Sequence, residues 1–196
     1  MASDTALLVA HEIWGVNDHI TAAADHVRAV TGYHVVAPSY IPEGRLTGDE
    51  PEPAAYRSFM ESLGIDGMAA QLTADAERLH QSYARVQCLG FSVGATATWI
   101  AAGSGQFDKS VCIYGSRIRD HLGQEPAAET LVVMAEEEES FTPRDIVPQL
   151  AAIPHVAALL VDRTAHGYCN PAHRRFDAAA AKQTYDIVTE FLQDTE

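Results

Sequence analysis

The sequence predicts an α/β fold: a single domain over residues 1–196, with a mostly parallel sheet covered by helices on both faces. Two observations carry this. Short apolar runs recur that are nearly continuous rather than alternating, as strands buried on both faces require. Helix-like stretches separate them, and strand, helix, strand repeated in this way builds parallel crossovers.

Along the chain, Ala6–Ala10 (ALLVA) reads as the first strand and Asp18–Val30 as the helix that follows. His34–Ala37 is the next strand. Tyr40–Pro53 (YIPEGRLTGDEPEP) breaks the rhythm; its Pro, Gly and acid content predicts a long surface loop, either a plain connection or a cover for a site. Tyr56, Arg57 and Phe59 fall on a helix-like stretch. Gly67–Ser82 carries Met68, Leu72, Ala76 and Leu79 at helical spacing. Val86–Phe91 is a strand running into Ala-rich Val93–Ala102. Ser110–Tyr114, Thr130–Met134 and Val156–Val161 complete the strands, and Pro143–Ala152 and Arg174–Leu192 the helices.

Thirteen basic against 27 acidic side chains give a net charge of −14. That field repels phosphate backbones and anionic headgroups, which argues against nucleic-acid and membrane-surface partners. No apolar run reaches the length of a membrane span. The start MASDTALLVAHE lacks a basic leader segment, and the three cysteines show no metal-type spacing. The expectation is a cytoplasmic protein with incidental thiols and no metal.

In a parallel α/β sheet, ligands bind at the carboxyl ends of the strands. The sharpest signal lies there: Gly90-Phe91-Ser92-Val93-Gly94, a G-x-S-x-G between a strand and a helix. Such a turn lifts a serine hydroxyl above the sheet. Gly90 and Gly94 allow close packing, and the Val93 N–H at the helix start can face a developing oxyanion. The plainer alternative is a serine that caps the helix. A nucleophilic serine needs a base. His26, His34 and His80 lie within predicted elements. His166 instead follows the last strand, C-terminal to the serine, in the order Ser, acid, His. The loop after Thr130–Met134 offers no aspartate before Asp145, so the acid is one of Glu136–Glu139; Asp162 is a second source near His166. Trp14, Tyr40 and Tyr168 are candidates to line an apolar pocket, while Trp99 reads as core.

Together these residues resemble the dienelactone hydrolase family of α/β-hydrolases. The stretch His11-Glu12-Ile13-Trp14-Gly15-Val16-Asn17 is similar to the family's signature after its first strand. His34-Val35-Val36-Ala37-Pro38, Tyr114-Gly115 and Ala165-His166-Gly167 extend the likeness over nearly the whole chain. The resemblance implies an α/β-hydrolase fold, Ser92 where the founding enzymes have cysteine, and His166 as base. It implies Glu12 as the carboxylate beside the nucleophile and Ile13 as the second oxyanion donor beside Val93. An acid four residues before Pro143 implies Glu139, with Glu138 second. The family's substrate-holding arginine has no clean counterpart; Arg45 and Arg57 are the candidates, which speaks against an anionic substrate.

The expected function is hydrolysis of a small carboxylic ester or lactone through an acyl-enzyme on Ser92, with His166 and Glu139, and with no cofactor. Thioesters or small peptides are a variant of that reading. The alternative is a non-catalytic relative that binds or regulates. Oligomeric state is not legible in the residues.

Overall fold

The computed structural model describes residues 3–41 and 51–194. Among these residues, six strands form one sheet: β1 (Thr5–Ala10), β2 (His34–Val36), β3 (Arg85–Phe91), β4 (Lys109–Ile113), β5 (Glu129–Glu137) and β6 (Val156–Ala165). Their order is β2-β1-β3-β4-β5-β6, and every neighbouring pair is parallel. The helices are α1 (Asp18–Thr31), α2 (Glu52–Ser62), α3 (Gly64–Leu79), α4 (Val93–Ala102), α5 (Pro143–Ala151) and α6 (Ala178–Gln193), with a 3-10 helix at Ser116–His121.

Successive strand side chains point to opposite faces, and the apolar runs supply both. Leu7, Val9, Leu89, Phe91, Val111 and Ile113 pack with Ile20 and Val27 of α1 and Val188 and Leu192 of α6. Leu8, Ala10, Val86 and Cys88 pack on the other side with Met68 and Leu72 of α3 and Ala97 and Ala101 of α4. Cys112, Val132 and Met134 continue that side with Trp99 and Leu150. Trp99 is core, as expected, its Nε1–H donating to the His121 carbonyl. Among the described residues, no helix is long and apolar enough to cross a membrane.

Several boundaries differ from the sequence reading. A helix, α2, begins at Glu52, inside the stretch expected to be loop; residues 42–50 of that stretch, and Arg45 with them, lie outside the described residues. β5 and β6 run on to Glu137 and Ala165, three and four residues past their apolar cores. α6 begins at Ala178 rather than Arg174, because Asp177 caps it by accepting from the Ala179 and Ala180 N–H groups.

Chain direction positions the site. From β1 the chain crosses to β2 on one side, then returns to β3 on the other. Such a switch point opens a crevice at the carboxyl ends of β1 and β3. Glu12 and Ile13 follow one of these strands, and Ser92 follows the other.

Candidate active site

Ser92 joins β3 to α4 with φ 53° and ψ −117°, a left-handed conformation costing a non-glycine residue about 1–3 kcal/mol. Its neighbours enforce that turn. A Cβ on Gly90 would lie 2.3 Å from the Gly94 carbonyl oxygen, and one on Gly94 would lie 2.5 Å from the carbonyl oxygens of Ala10 and His11. The Ser92 N–H donates to the Ile113 carbonyl, tying the turn to β4. The serine does not cap α4; its Oγ lies 2.9 Å from His166 Nε2.

On the far side of the imidazole, His166 Nδ1 lies 2.8 Å from Glu138 Oε1 and 3.1 Å from Oε2. The Glu138 side chain is only 5% exposed. This corrects the expectation of Glu139, whose side chain is 89% exposed and meets Arg174. The reason lies in the strands. The register shifts where Ala135 pairs with Val161 but Glu137 pairs with Ala165, so β6 accommodates two extra residues there, with Arg163 at φ 60°. The shift sets Ala165 beside Glu137, and the His166 N–H donates to the Glu137 carbonyl. Glu138 is then the first residue beyond β5 and faces the ring; counting back from Pro143 cannot register that. Asp162 is an exposed partner of Arg144, Glu136 accepts from Arg144 and the Arg163 N–H, and Glu137 pairs with Arg175.

Burial pulls the His166 pKa down, but the hydrogen bond and charge of Glu138, with the charges of Glu12 and Glu52, outweigh it and hold the imidazole above its ordinary value. With Glu138 accepting from Nδ1–H, Nε2 is left free to accept from the serine hydroxyl.

Behind Ser92 and His166 lies a second polar cluster. Glu12 is buried; its Oε1 accepts from the Tyr114 hydroxyl at 3.2 Å and its Oε2 from Asn170 Nδ2 at 2.9 Å, with His19 Nδ1 at 3.4 Å. Burial works against the carboxylate, but His19, the His166 charge and Asn170 hold its pKa below the usual range. The Tyr114 ring, 5.0 Å from the His166 ring, bridges the two groups. His11 donates from Nδ1 to the Glu12 carbonyl and accepts the Tyr40 N–H at Nε2, which fastens the segment after β2 to the end of β1.

A cavity of about 580 Å³ opens in front of Ser92 and His166. Ile13, Val93 and Glu138 line it, together with Glu52 and Tyr56 of α2, Arg117 and Arg119 of the 3-10 helix, and His173, Arg174 and Arg175. Among the described residues, Tyr56 is the aromatic in this wall, and the expected Trp14, Tyr40 and Tyr168 are not part of it. Tyr168 is fully buried and hydrogen-bonds Thr184; Trp14 and Tyr40 pack against the core on the α3 side, where the Tyr40 hydroxyl reaches Asp75. Arg57 is exposed and lies off the cavity. Among the described residues, four arginines line it, offset by four glutamates: Glu52, Glu137, Glu138 and Glu139. Sequence reasoning placed Arg174 and Arg175 in a helix and so missed them; Asp177 before an alanine run was the signal that the helix starts later.

The comparisons with known proteins agree with this architecture. The family model described as the dienelactone hydrolase family matches residues 2–195. The uncharacterized protein YczH of Bacillus subtilis (strain 168) is 30% identical over 184 residues, covering 93% of this chain and 89% of that protein. Among solved structures, a Klebsiella pneumoniae protein described as a dienelactone hydrolase superposes with a TM-score of 0.81 at 18% identity, covering 98% of this chain and 88% of its own. Est1E from Butyrivibrio proteoclasticus, solved with ferulic acid bound, gives 0.70 at 11% identity over 98% and 89% of the two chains.

Proposed function

The chain belongs to the dienelactone hydrolase family, and from that premise and the site geometry we propose that it hydrolyses small carboxylic esters or lactones through an acyl-enzyme on Ser92. The observation that carries this reading is the unbroken relay Ser92 Oγ, His166, Glu138, at 2.9 and 2.8 Å, at the mouth of a cavity.

The chemistry follows from the parts. His166 Nε2 takes the hydroxyl proton as Oγ attacks the carbonyl carbon. Glu138 holds the ring in the tautomer that allows this and stabilises the imidazolium that forms. The carbonyl oxygen becomes an oxyanion on the backbone N–H groups of Val93 and Ile13, which flank the serine on the cavity wall. His166 then protonates the leaving oxygen, the C–O bond breaks, and the acyl group stays on Ser92. Water, deprotonated by the same imidazole, attacks the acyl carbon; the C–Oγ bond breaks, the imidazolium returns its proton to Ser92 Oγ, and the acid leaves. Every proton in the cycle is handled by side chains of this chain.

Hydrolysis of p-nitrophenyl acetate and longer p-nitrophenyl esters tests the reading. Turnover by the wild type that falls to near background in Ser92→Ala and in His166→Ala is the expected result. An inert wild type whose Ser92 also resists an organophosphate probe would overturn it and leave a binding module on a hydrolase fold.

A further inference from the structure

A second histidine stands in the cavity wall, and its surroundings fix how it is presented. His173 lies in the loop between β6 and α6. The loop is held by internal bonds: Asn170 N–H to the Gly167 carbonyl, His173 N–H to the Asn170 carbonyl, Phe176 N–H to the His173 carbonyl and Asp177 N–H to the Tyr168 carbonyl. The imidazole packs on the backbone of Gly167, the residue after His166. A Cβ there would lie 2.6 Å from His173 Nδ1 and 2.7 Å from its Cγ, and the φ of +83° also requires glycine. Nδ1 accepts the Arg175 N–H at 3.2 Å. A ring that accepts at Nδ1 is neutral and carries its proton on Nε2. Burial and the charge of His166 both favour that neutral form. Among the described residues no protein group takes the Nε2–H, while the ring borders the cavity.

Resting on the hydrolase reading above, we propose that His173 is a specificity-determining residue whose Nε2–H donates a hydrogen bond to an oxygen in the alcohol part of the ester. The side of the substrate follows from position. His166 must hand its proton to the leaving oxygen, so the alcohol part passes alongside that imidazole, and His173 is seated against the very next residue. The two rings divide the labour: one is tied to Glu138 and moves protons, the other is tied to a backbone N–H and offers a fixed donor. An alcohol part with an ether or hydroxyl oxygen near the ester is therefore favoured over an alkyl chain of equal length.

The test uses two nearly isosteric substrates, 2-methoxyethyl acetate and butyl acetate, and two substitutions that separate the ring's nitrogens. An asparagine amide reaches about as far as Nδ1, so His173→Asn keeps an acceptor for the Arg175 N–H and loses the donor to the cavity. A glutamine amide reaches about as far as Nε2, so His173→Gln keeps that donor. The wild type is expected to favour 2-methoxyethyl acetate in kcat/KM, corrected for hydroxide-catalysed rates. His173→Asn should cut that preference roughly three- to tenfold, the size of one neutral hydrogen bond, with an unchanged thermal midpoint, and His173→Gln should keep it. A preference untouched in His173→Asn, or lost equally in both variants, overturns the inference. Turnover of p-nitrophenyl acetate that Ser92→Ala abolishes keeps the hydrolase reading standing in either case; no turnover of any ester, with Ser92 also resistant to an organophosphate probe, brings both down.

Discussion

The two sides of the Ser92–His166 contact are built by different physics. On the serine side, five consecutive residues and their steric contacts determine the outcome: no Cβ fits at Gly90 or Gly94, so the chain must turn as it does. On the histidine side, Glu138 and His166 are 28 residues apart and meet because two strands run on together through a shift of register. The first side is specified locally, the second by pairing. A locally specified turn should fail all at once when its space is filled. A paired contact should fail only when the particular carboxylate that reaches the ring is changed.

The largest effect is expected on the serine side. Gly94→Ala puts a methyl 2.5 Å from two backbone oxygens at the end of β1, where no side chain can move aside. The expected cost is about 3 kcal/mol or more, a fall of some 6–12 °C in thermal midpoint for a domain of this size, and ester hydrolysis below detection. Calorimetry and a p-nitrophenyl ester assay read both. A variant with wild-type stability would show that the elbow is not set by this close approach.

Next is Glu138→Gln. The amide can turn its nitrogen toward Nδ1 and stabilise the wrong tautomer, a change expected to cost roughly 10³- to 10⁴-fold in kcat. The same substitution removes the largest influence that holds the His166 pKa up. The proposed mechanism needs the ring neutral, so the rate should fall as pH drops through that pKa. In the wild type the acidic limb of kcat/KM should lie above the ordinary histidine value of about 6.5. In Glu138→Gln it should move to lower pH in whatever activity remains, and a limb that stays in place would remove Glu138 from the relay.

This contrast also explains what the sequence could tell. The parallel α/β arrangement was legible because the apolar runs are continuous and the helices periodic. Ser92 was legible because glycines at fixed offsets are a steric requirement written into adjacent residues. His166 was legible from its place after a strand. The carboxylate that meets His166 was not, because four neighbouring glutamates differ only in where β5 ends, and hydrophobicity stops at Ala135 while the strand continues to Glu137. Arg174 and Arg175 were hidden by a helix start placed four residues early, and His173, just before that start, carried no motif of its own. The Glu12 cluster was half legible: the carboxylate stood out by family resemblance, but its partners His19, Tyr114 and Asn170 come from three separate segments that only folding brings together.

Glu12→Gln probes that cluster and should have a smaller effect on rate than Glu138→Gln, because Glu12 acts on His166 through its charge and the intervening Tyr114 ring rather than by a direct hydrogen bond. Loss of the charge lowers the His166 pKa, so the acidic limb shifts down in pH while kcat at neutral pH changes little. Stability responds with the opposite pH dependence. The folded Glu12 pKa lies below its ordinary value of 4.5, so its charge contributes above that pH and the contribution is lost as pH falls through the folded value. Wild type and variant should therefore differ in denaturant midpoint at pH 7 and converge in acid. A gap that does not narrow at all as pH falls from 7 to the lowest pH at which the protein stays folded would mean that packing, rather than charge, holds the cluster together.

The smallest effect is expected at Glu139, and it sharpens the contrast most. Glu139 sits next to Glu138 in sequence, but its carboxylate is in solvent beside Arg174, at a surface pair of the kind worth less than about 1 kcal/mol. Glu139→Gln should leave kcat within about twofold of wild type and stability within about 0.5 kcal/mol. Its pH profile should superpose on the wild-type curve, since the main charges that raise His166 are those of Glu138, Glu12 and Glu52. If Glu139→Gln instead lost activity on the scale expected of Glu138→Gln, the strand register that turns Glu138 toward the ring would be wrong by one residue. The acid side would then be set by the spacing to Pro143 rather than by the pairing of β5 with β6.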